Sequence, residues 1–200
     1  MPVNDNDSRV KRTKKLIRKG LAELSKTKSI TKVTVKELTD LIEINRGTFY
    51  LHYKDIYELV ESLEQELYTE FEKNIFGIDA KAVLLNPVEV LEDFCRFVQE
   101  NAEEFAMLSG EHGDAEFVHK IGTLLNEKVY ALLLEIYPQM NIERYNIAYE
   151  YGKFGALGLL NCWLTKHPHW TAHQAAEMWF TLLSKGLSGI LDGKVKEFCK

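Results

Sequence analysis

Two hundred residues, 46% hydrophobic and 28% charged, suffice for one or two small domains with a sizeable core, and they describe a soluble globular chain. No apolar run approaches the roughly 20 residues that span a bilayer, and no apolar segment follows the basic N-terminal residues, so neither a membrane span nor a secretory signal is expected. The net charge of −5 is unevenly spread: residues 1–54 carry 13 Lys+Arg against 6 Asp+Glu, or +7, while the remainder carries 12 against 24, or −12.

A basic first quarter on an acidic body suggests that only the first quarter approaches a polyanion. Residues 1–7 form a short polar tail. A first helix is expected from Asp7 or Ser8 to about Ser25, with Val10, Ile17, Leu21 and Leu24 as its buried stripe and Leu16 and Gly20 beside it. Arg9, Lys11, Arg12, Lys14, Lys15, Arg18 and Lys19 surround that stripe. The early ones suit phosphate contact, and Lys19 suits a solvated face. Residues 26–32 read as a polar loop.

Thr34 followed by Glu37 has capping-box spacing, and Val35, Leu38 and Leu41 share one helical face. After a tight turn at Ile42-Glu43-Ile44, Asn45 is a suitable N-cap for a second helix of about two turns that stops near His52. Two short helices joined by about four residues, the second polar and basic, describe a helix-turn-helix. Phe49 is expected to point into the core, and Arg46, Thr48, Tyr50 and Leu51 outward toward base edges.

From Lys11 to Glu61 the chain resembles the DNA-binding domain of the TetR family of bacterial transcriptional regulators. The resemblance centres on Arg46-Gly47-Thr48-Phe49-Tyr50-Leu51-His52-Tyr53-Lys54-Asp55, followed by Leu59. It implies that the helix starting at Arg46 enters the major groove. Arg46, Gly47, Thr48, Tyr50 and Leu51 would then lie near bases, and Thr34, Tyr50, His52, Tyr53 and Lys54 near phosphates. Glu43 stands where the family often has Gly, so a non-Gly residue must accept the backbone angle of the turn. Ile56 stands where the family often has Lys, and one phosphate contact loses its donor.

Asp55 is expected to cap a long helix from Ile56 to about Asn74, ended by Gly77, with Ile56, Leu59, Val60, Leu63, Leu67 and Phe71 on its apolar side. After a loop, Asn86-Pro87 opens the next helix, carrying Val90, Leu91, Phe94, Phe97 and Val98. Asn101 with Glu104 marks a restart. Asp114 caps a helix closed by Pro138, Asn141 starts one reaching about Lys166, and Thr171 with Gln174 caps the last. The fold class expected is all-α, about nine helices: an N-terminal three-helix helix-turn-helix domain (1–55) and a C-terminal helical effector-binding and dimerisation domain (56–200).

Gly152, Gly155 and Gly158 stand inside one helix, where each glycine costs up to roughly 1 kcal/mol relative to Ala. Close approach of another helix or a ligand is therefore expected. The last two long helices resemble the pair through which TetR-type regulators dimerise, which implies Gly155, Gly158, Trp163, Trp179 and Leu183 at a homodimer interface. Phe94, Phe97, Phe105, Tyr130, Tyr149, Tyr151 and Phe154 could line an effector pocket, but aromatics at helical spacing more often form core, so no effector-binding residue is singled out.

His167, His169 and His173 near Cys162 lack an interleaved acidic ligand, and no metal is expected. Cys95, Cys162 and Cys199 show no CxxC spacing and read as reduced thiols. No cofactor or catalytic pattern is present, so no enzyme and no cofactor are expected. The resemblance implies a cytoplasmic bacterial regulator, a repressor binding double-stranded palindromic operator DNA as a homodimer and answering to a small-molecule effector. The alternative is a coregulator on the same scaffold whose C-terminal body binds a protein partner.

Overall fold

A computed structural model describes residues 8–190, with side chains described to residue 185. The tail at 1–7, Cys199, and the side chains of Leu187 and Ile190 lie outside the described residues. Ten α-helices and no strand occur among the described residues: α1 (Ser8–Ser25), α2 (Val35–Leu41), α3 (Arg46–Tyr50), α4 (Ile56–Phe76), α5 (Ala80–Leu85), α6 (Pro87–Glu100), α7 (Ala102–Ser109), α8 (Ala115–Ile136), α9 (Ile142–Lys166) and α10 (Ala172–Ile190). The helix absent from the sequence reading is α5. Asp79 caps it by accepting from the Ala82 N–H at 2.7 Å, in a stretch expected to be loop.

Most helix starts form by the local chemistry that their sequences contain. Asp114 accepts from the N–H groups of Glu116 and Phe117, and Asn141 from that of Arg144. Thr171 and Gln174 satisfy each other's backbone reciprocally, at 3.2 and 2.9 Å. Each bond removes an orphan donor from a first helical turn.

The chain divides into two compact units, and α4 and α8 each continue from one into the other. The first holds the described residues up to Glu70 together with Glu103–Lys120. Its core contains Ile17, Leu21, Ile30, Leu38, Phe49, Leu59 and Leu108, all fully buried. Ile30 belongs to a 3-10 turn, Ile30–Lys32, within the expected polar loop, and its N–H donates to the His112 carbonyl at 3.2 Å. Leu41, expected on the inner face of α2, is instead 47% exposed, and Thr39 is buried in its stead. The Thr39 hydroxyl tolerates this because it donates to the Val35 carbonyl at 2.8 Å.

The second unit holds Phe71–Ala102 and the chain from Ile121 onward. There α10 lies along α6 and α9. Phe94 meets Phe71 and Trp179 edge-on, at 5.4 and 5.5 Å between ring centroids, and Phe97 completes the cluster. On α8 and α9, Tyr130, Tyr145 and Tyr149 form a row of rings. The Tyr145 hydroxyl donates to Asn126 Oδ1 at 2.6 Å and that of Tyr149 to the Gly122 carbonyl at 2.5 Å. Burial pushes both phenols up, Tyr145 to about 12.

Candidate nucleic-acid interface

The short helix α3 cannot persist alone, and its neighbours fix it at both ends. Asn45 Oδ1 accepts from the Gly47 N–H at 2.7 Å. Phe49 is fully buried, with Tyr50 and Tyr53 packed around its ring at 5.7 and 5.9 Å. Before it, Glu43 takes a left-handed backbone (φ 56°), while the Ile44 N–H closes back on the Thr39 carbonyl at 3.1 Å. This Schellman-type ending sets the direction of the turn. Downstream, Asp55 caps α4 by accepting from the Glu58 N–H at 2.9 Å, and the Glu58 carboxylate accepts from the Lys54 N–H.

The face that results is exposed and mixed in chemistry. Arg46, Gly47, Tyr50, Leu51 and Lys54 are exposed, and Thr48 and His52 are half-buried. Tyr50 and Leu51 leave 57% and 66% of their surface in solvent. A Cβ added at Gly47 would meet only Asn45 Oδ1, at 3.2 Å, so the backbone is open to a partner there.

Two members of the phosphate set stand differently. Tyr53 is 4% exposed, and its hydroxyl is enclosed beside the Arg18 guanidinium; the ring packs beside Phe49 and never reaches the exposed face. Thr34 is exposed, but its hydroxyl already donates to Glu37 Oε2 at 2.8 Å while accepting from the Glu37 N–H. Lys28, at 2.9 Å, and Thr34 together hold the Glu37 carboxyl down at about 2. A phosphate at Thr34 would have to compete with that carboxylate.

A contact without local signal ties the unit together. Arg18 Nη2 on α1 lies 2.7 Å from both carboxylate oxygens of Glu66 on α4. The 48-residue separation hides this pair from periodicity.

In the second unit the five residues expected at a dimer interface separate into two groups. Trp163 and Trp179 lie within the chain's own core, at 2% and 8% exposure. Trp163 donates to the Trp170 carbonyl at 3.1 Å, and Trp179 packs on Phe94. Gly155, Gly158 and Leu183 are exposed, and nothing beyond the adjoining residues and backbone of α9 itself lies within 4 Å of a Cβ built at either glycine. Ile147, Tyr151 and Phe154, 64–76% exposed, share their helical face with Gly155, Gly158 and Cys162. Of the possible pocket aromatics, Phe94, Phe97, Phe105, Tyr130 and Tyr149 are core or half-buried, and Tyr151 and Phe154 face outward. His173 Nδ1 meets Glu92 Oε2 at 2.6 Å, which raises the imidazole above its ordinary value.

Residues 86–185 match the family model TetR_C_8, described as a transcriptional regulator C-terminal region. The chain belongs to the TetR family of transcriptional regulators. The matched segment covers α6 to most of α10, so α3 and its flanks lie outside it. Solved TetR-type structures share the fold over most of the chain. A TetR transcriptional regulator from Streptococcus agalactiae is 20% identical, with 88% of this chain and 95% of that chain covered and a TM-score of 0.56. NalD, the secondary repressor of the MexAB-OprM multidrug efflux pump in Pseudomonas aeruginosa, is 17% identical, with 90% and 98% covered and a TM-score of 0.59. Thermus thermophilus FadR, a TetR-family repressor solved with lauroyl-CoA, is 14% identical, with 87% and 94% covered and a TM-score of 0.52. No curated protein matches the sequence.

Proposed function

We propose that this TetR-family chain is a ligand-responsive repressor that reads a palindromic operator as a homodimer. The exposed face of α3 carries this reading: a capped helix anchored by Phe49, with Arg46, Gly47, Thr48, Tyr50 and Leu51 free to meet base edges. Arg46 supplies a bidentate donor fork suited to guanine, and Leu51 an apolar contact suited to a thymine methyl. Tyr50, His52 and Lys54 fit the phosphates beside them, and Thr34 joins them where a phosphate displaces Glu37. Tyr53 supports Phe49 from within.

Residues 1–55 serve in this reading as the DNA-binding domain and 56–200 as the effector-binding and dimerisation domain. Two copies of α3 must sit one DNA turn apart, about 34–36 Å, to read successive major-groove faces. The exposed stripe of Ile147, Tyr151, Phe154, Gly155 and Gly158 on α9, with Leu183 on α10, supports pairing of two chains, because contiguous apolar surface marks an interaction site. The effector is a small molecule bound by the C-terminal body. The lauroyl-CoA bound by Thermus FadR makes acyl thioesters a sensible first screen. The protein works in the bacterial cytoplasm, where its DNA is, and performs no catalysis.

Selection of genomic DNA fragments by the purified protein, with Tyr50→Ala in parallel, tests this reading. Enrichment of a palindrome by the wild type alone is the expected result. No enrichment at low salt by folded protein would overturn it and favour a coregulator that works through a protein partner.

A further inference from the structure

We propose that the cleft between α1 and α7, which no residue of α3 lines, binds a small phosphate-bearing ligand of mononucleotide size. The cleft has a volume of about 330 Å³, at the lower end of ligand pockets. One wall is formed by five cations of α1: Lys11, Lys14, Lys15, Arg18 and Lys19. Between Ser8 and Ala22 every charged residue of α1 is basic. Lys11 and Lys15, and Lys15 and Lys19, are like-charged pairs four residues apart, an arrangement that destabilises a helix. A multivalent anion seated among them relieves that repulsion. Arg18 stands at the inner edge of this row, its Nη2 held by Glu66.

The opposite wall decides what kind of anion fits. Glu103 and Glu104 of α7 face the cations across the cleft. Carboxylates would repel a continuous phosphodiester strand, but they accept hydrogen bonds from hydroxyl or amino groups. Ala22 and Met107 complete the lining with apolar surface, and a methionine adapts to a flat ring. Phosphate at one side, hydroxyl or amino donors at the other and an apolar body between them describe a nucleotide better than a bare phosphate.

Calorimetric titration of the full chain with ADP, inorganic pyrophosphate and adenosine, in metal-free buffer, tests the site. Lys15→Ala/Lys19→Ala removes two exposed cations of the cleft, and Lys32→Ala/Lys36→Ala removes two exposed lysines elsewhere. Saturable ADP binding is expected, with pyrophosphate weaker and adenosine silent. The cleft variant should bind ADP roughly tenfold more weakly or worse, as loss of charge-assisted contacts predicts, and the control variant should match the wild type. Glu104→Gln should weaken ADP binding while leaving pyrophosphate unaffected or tighter. Absence of saturable binding by both ADP and pyrophosphate would overturn the proposal, and so would equal weakening in the control variant, which would mean unspecific charge attraction. If the cleft variant instead loses duplex-DNA affinity and binds ADP as the wild type does, the lysines belong to a DNA footprint and the proposal falls.

Discussion

Substitutions of single residues on α3 and its flanks should separate affinity from sequence preference. Lys54 is exposed and carries its charge beside the α4 cap. Lys54→Ala should weaken binding to all DNA sequences and flatten the salt dependence by about one unit; an unchanged slope in salt-titrated binding would remove Lys54 from the phosphate set. Arg46→Ala should cost about 1–3 kcal/mol on the preferred operator and little on other sequences, which competition binding would measure. Glu43 pays for its left-handed backbone in steric strain. Glu43→Gly should therefore preserve or raise thermal stability, whereas Glu43→Val should lower it by about 1–2 kcal/mol, read by denaturant unfolding. Glu64 reports on pH. Burial, and then the charge of Asp114, push its carboxyl up to about 7, opposed by Lys120. The folded state thus holds this proton more tightly than the unfolded chain, whose carboxyl stays near 4.5. Stability should fall as pH rises from about 4.5 to 7 and then level off. Glu64→Gln should be more stable than the wild type above pH 7, with the advantage vanishing in acid.

At the scale of elements, α1 and α2 meet at a glycine. A Cβ at Gly20 would stand 2.4 Å from Ile42 Cγ2 and 2.7 Å from Leu38 Cδ1. Leu38 is fully buried and Ile42 is branched at its Cβ, which restricts its rotamers, so neither neighbour can swing away freely. Gly20→Ala gains helix propensity but must move α2, and the overpacking should win by about 1–3 kcal/mol. Because α2 leads through Glu43 into α3, the same variant should also lose DNA affinity beyond its stability loss, measured well below its melting temperature. The capping box of α2 makes a contrasting case. Thr34→Ala removes one cap and should cost about 1 kcal/mol, and it removes the hydroxyl from the three hydrogen bonds that hold the Glu37 pKa down, leaving those of Lys28 and the backbone N–H of residue 34.

At the scale of the molecule, the proposed pairing of two chains rests on the exposed α9 stripe. Gly155→Glu/Gly158→Glu introduces charge where nothing beyond the adjoining residues and backbone of α9 itself lies within 4 Å of the new Cβ. The fold of one chain should survive, since Glu forms helix better than Gly by up to roughly 1 kcal/mol per site. Sedimentation should nonetheless report one chain instead of two, and operator binding should collapse because two half-sites are no longer held together. A dimer that persists in this variant would place the interface elsewhere.

The helices and their starts were legible in the sequence, with α5 and its Asp79 cap as the exception. Thr34 with Glu37, Asn45, Asp55, Asp114, Asn141, and Thr171 with Gln174 each bond within three residues of themselves, so residue type and spacing decide them. The α3 motif was legible for the same reason, together with the positive φ forced on Glu43. Which side chains face inward was settled by the packing of the folded chain. It buried Ile30 and Tyr53, turned Leu41 outward, and drew Trp163 and Trp179 into the chain's own core while leaving Gly155 and Gly158 open. It also paired Arg18 with Glu66 and set Glu64 beside Asp114. These outcomes depend on packing between segments far apart in the chain, where many residues compete for each buried site and no local spacing names the winner.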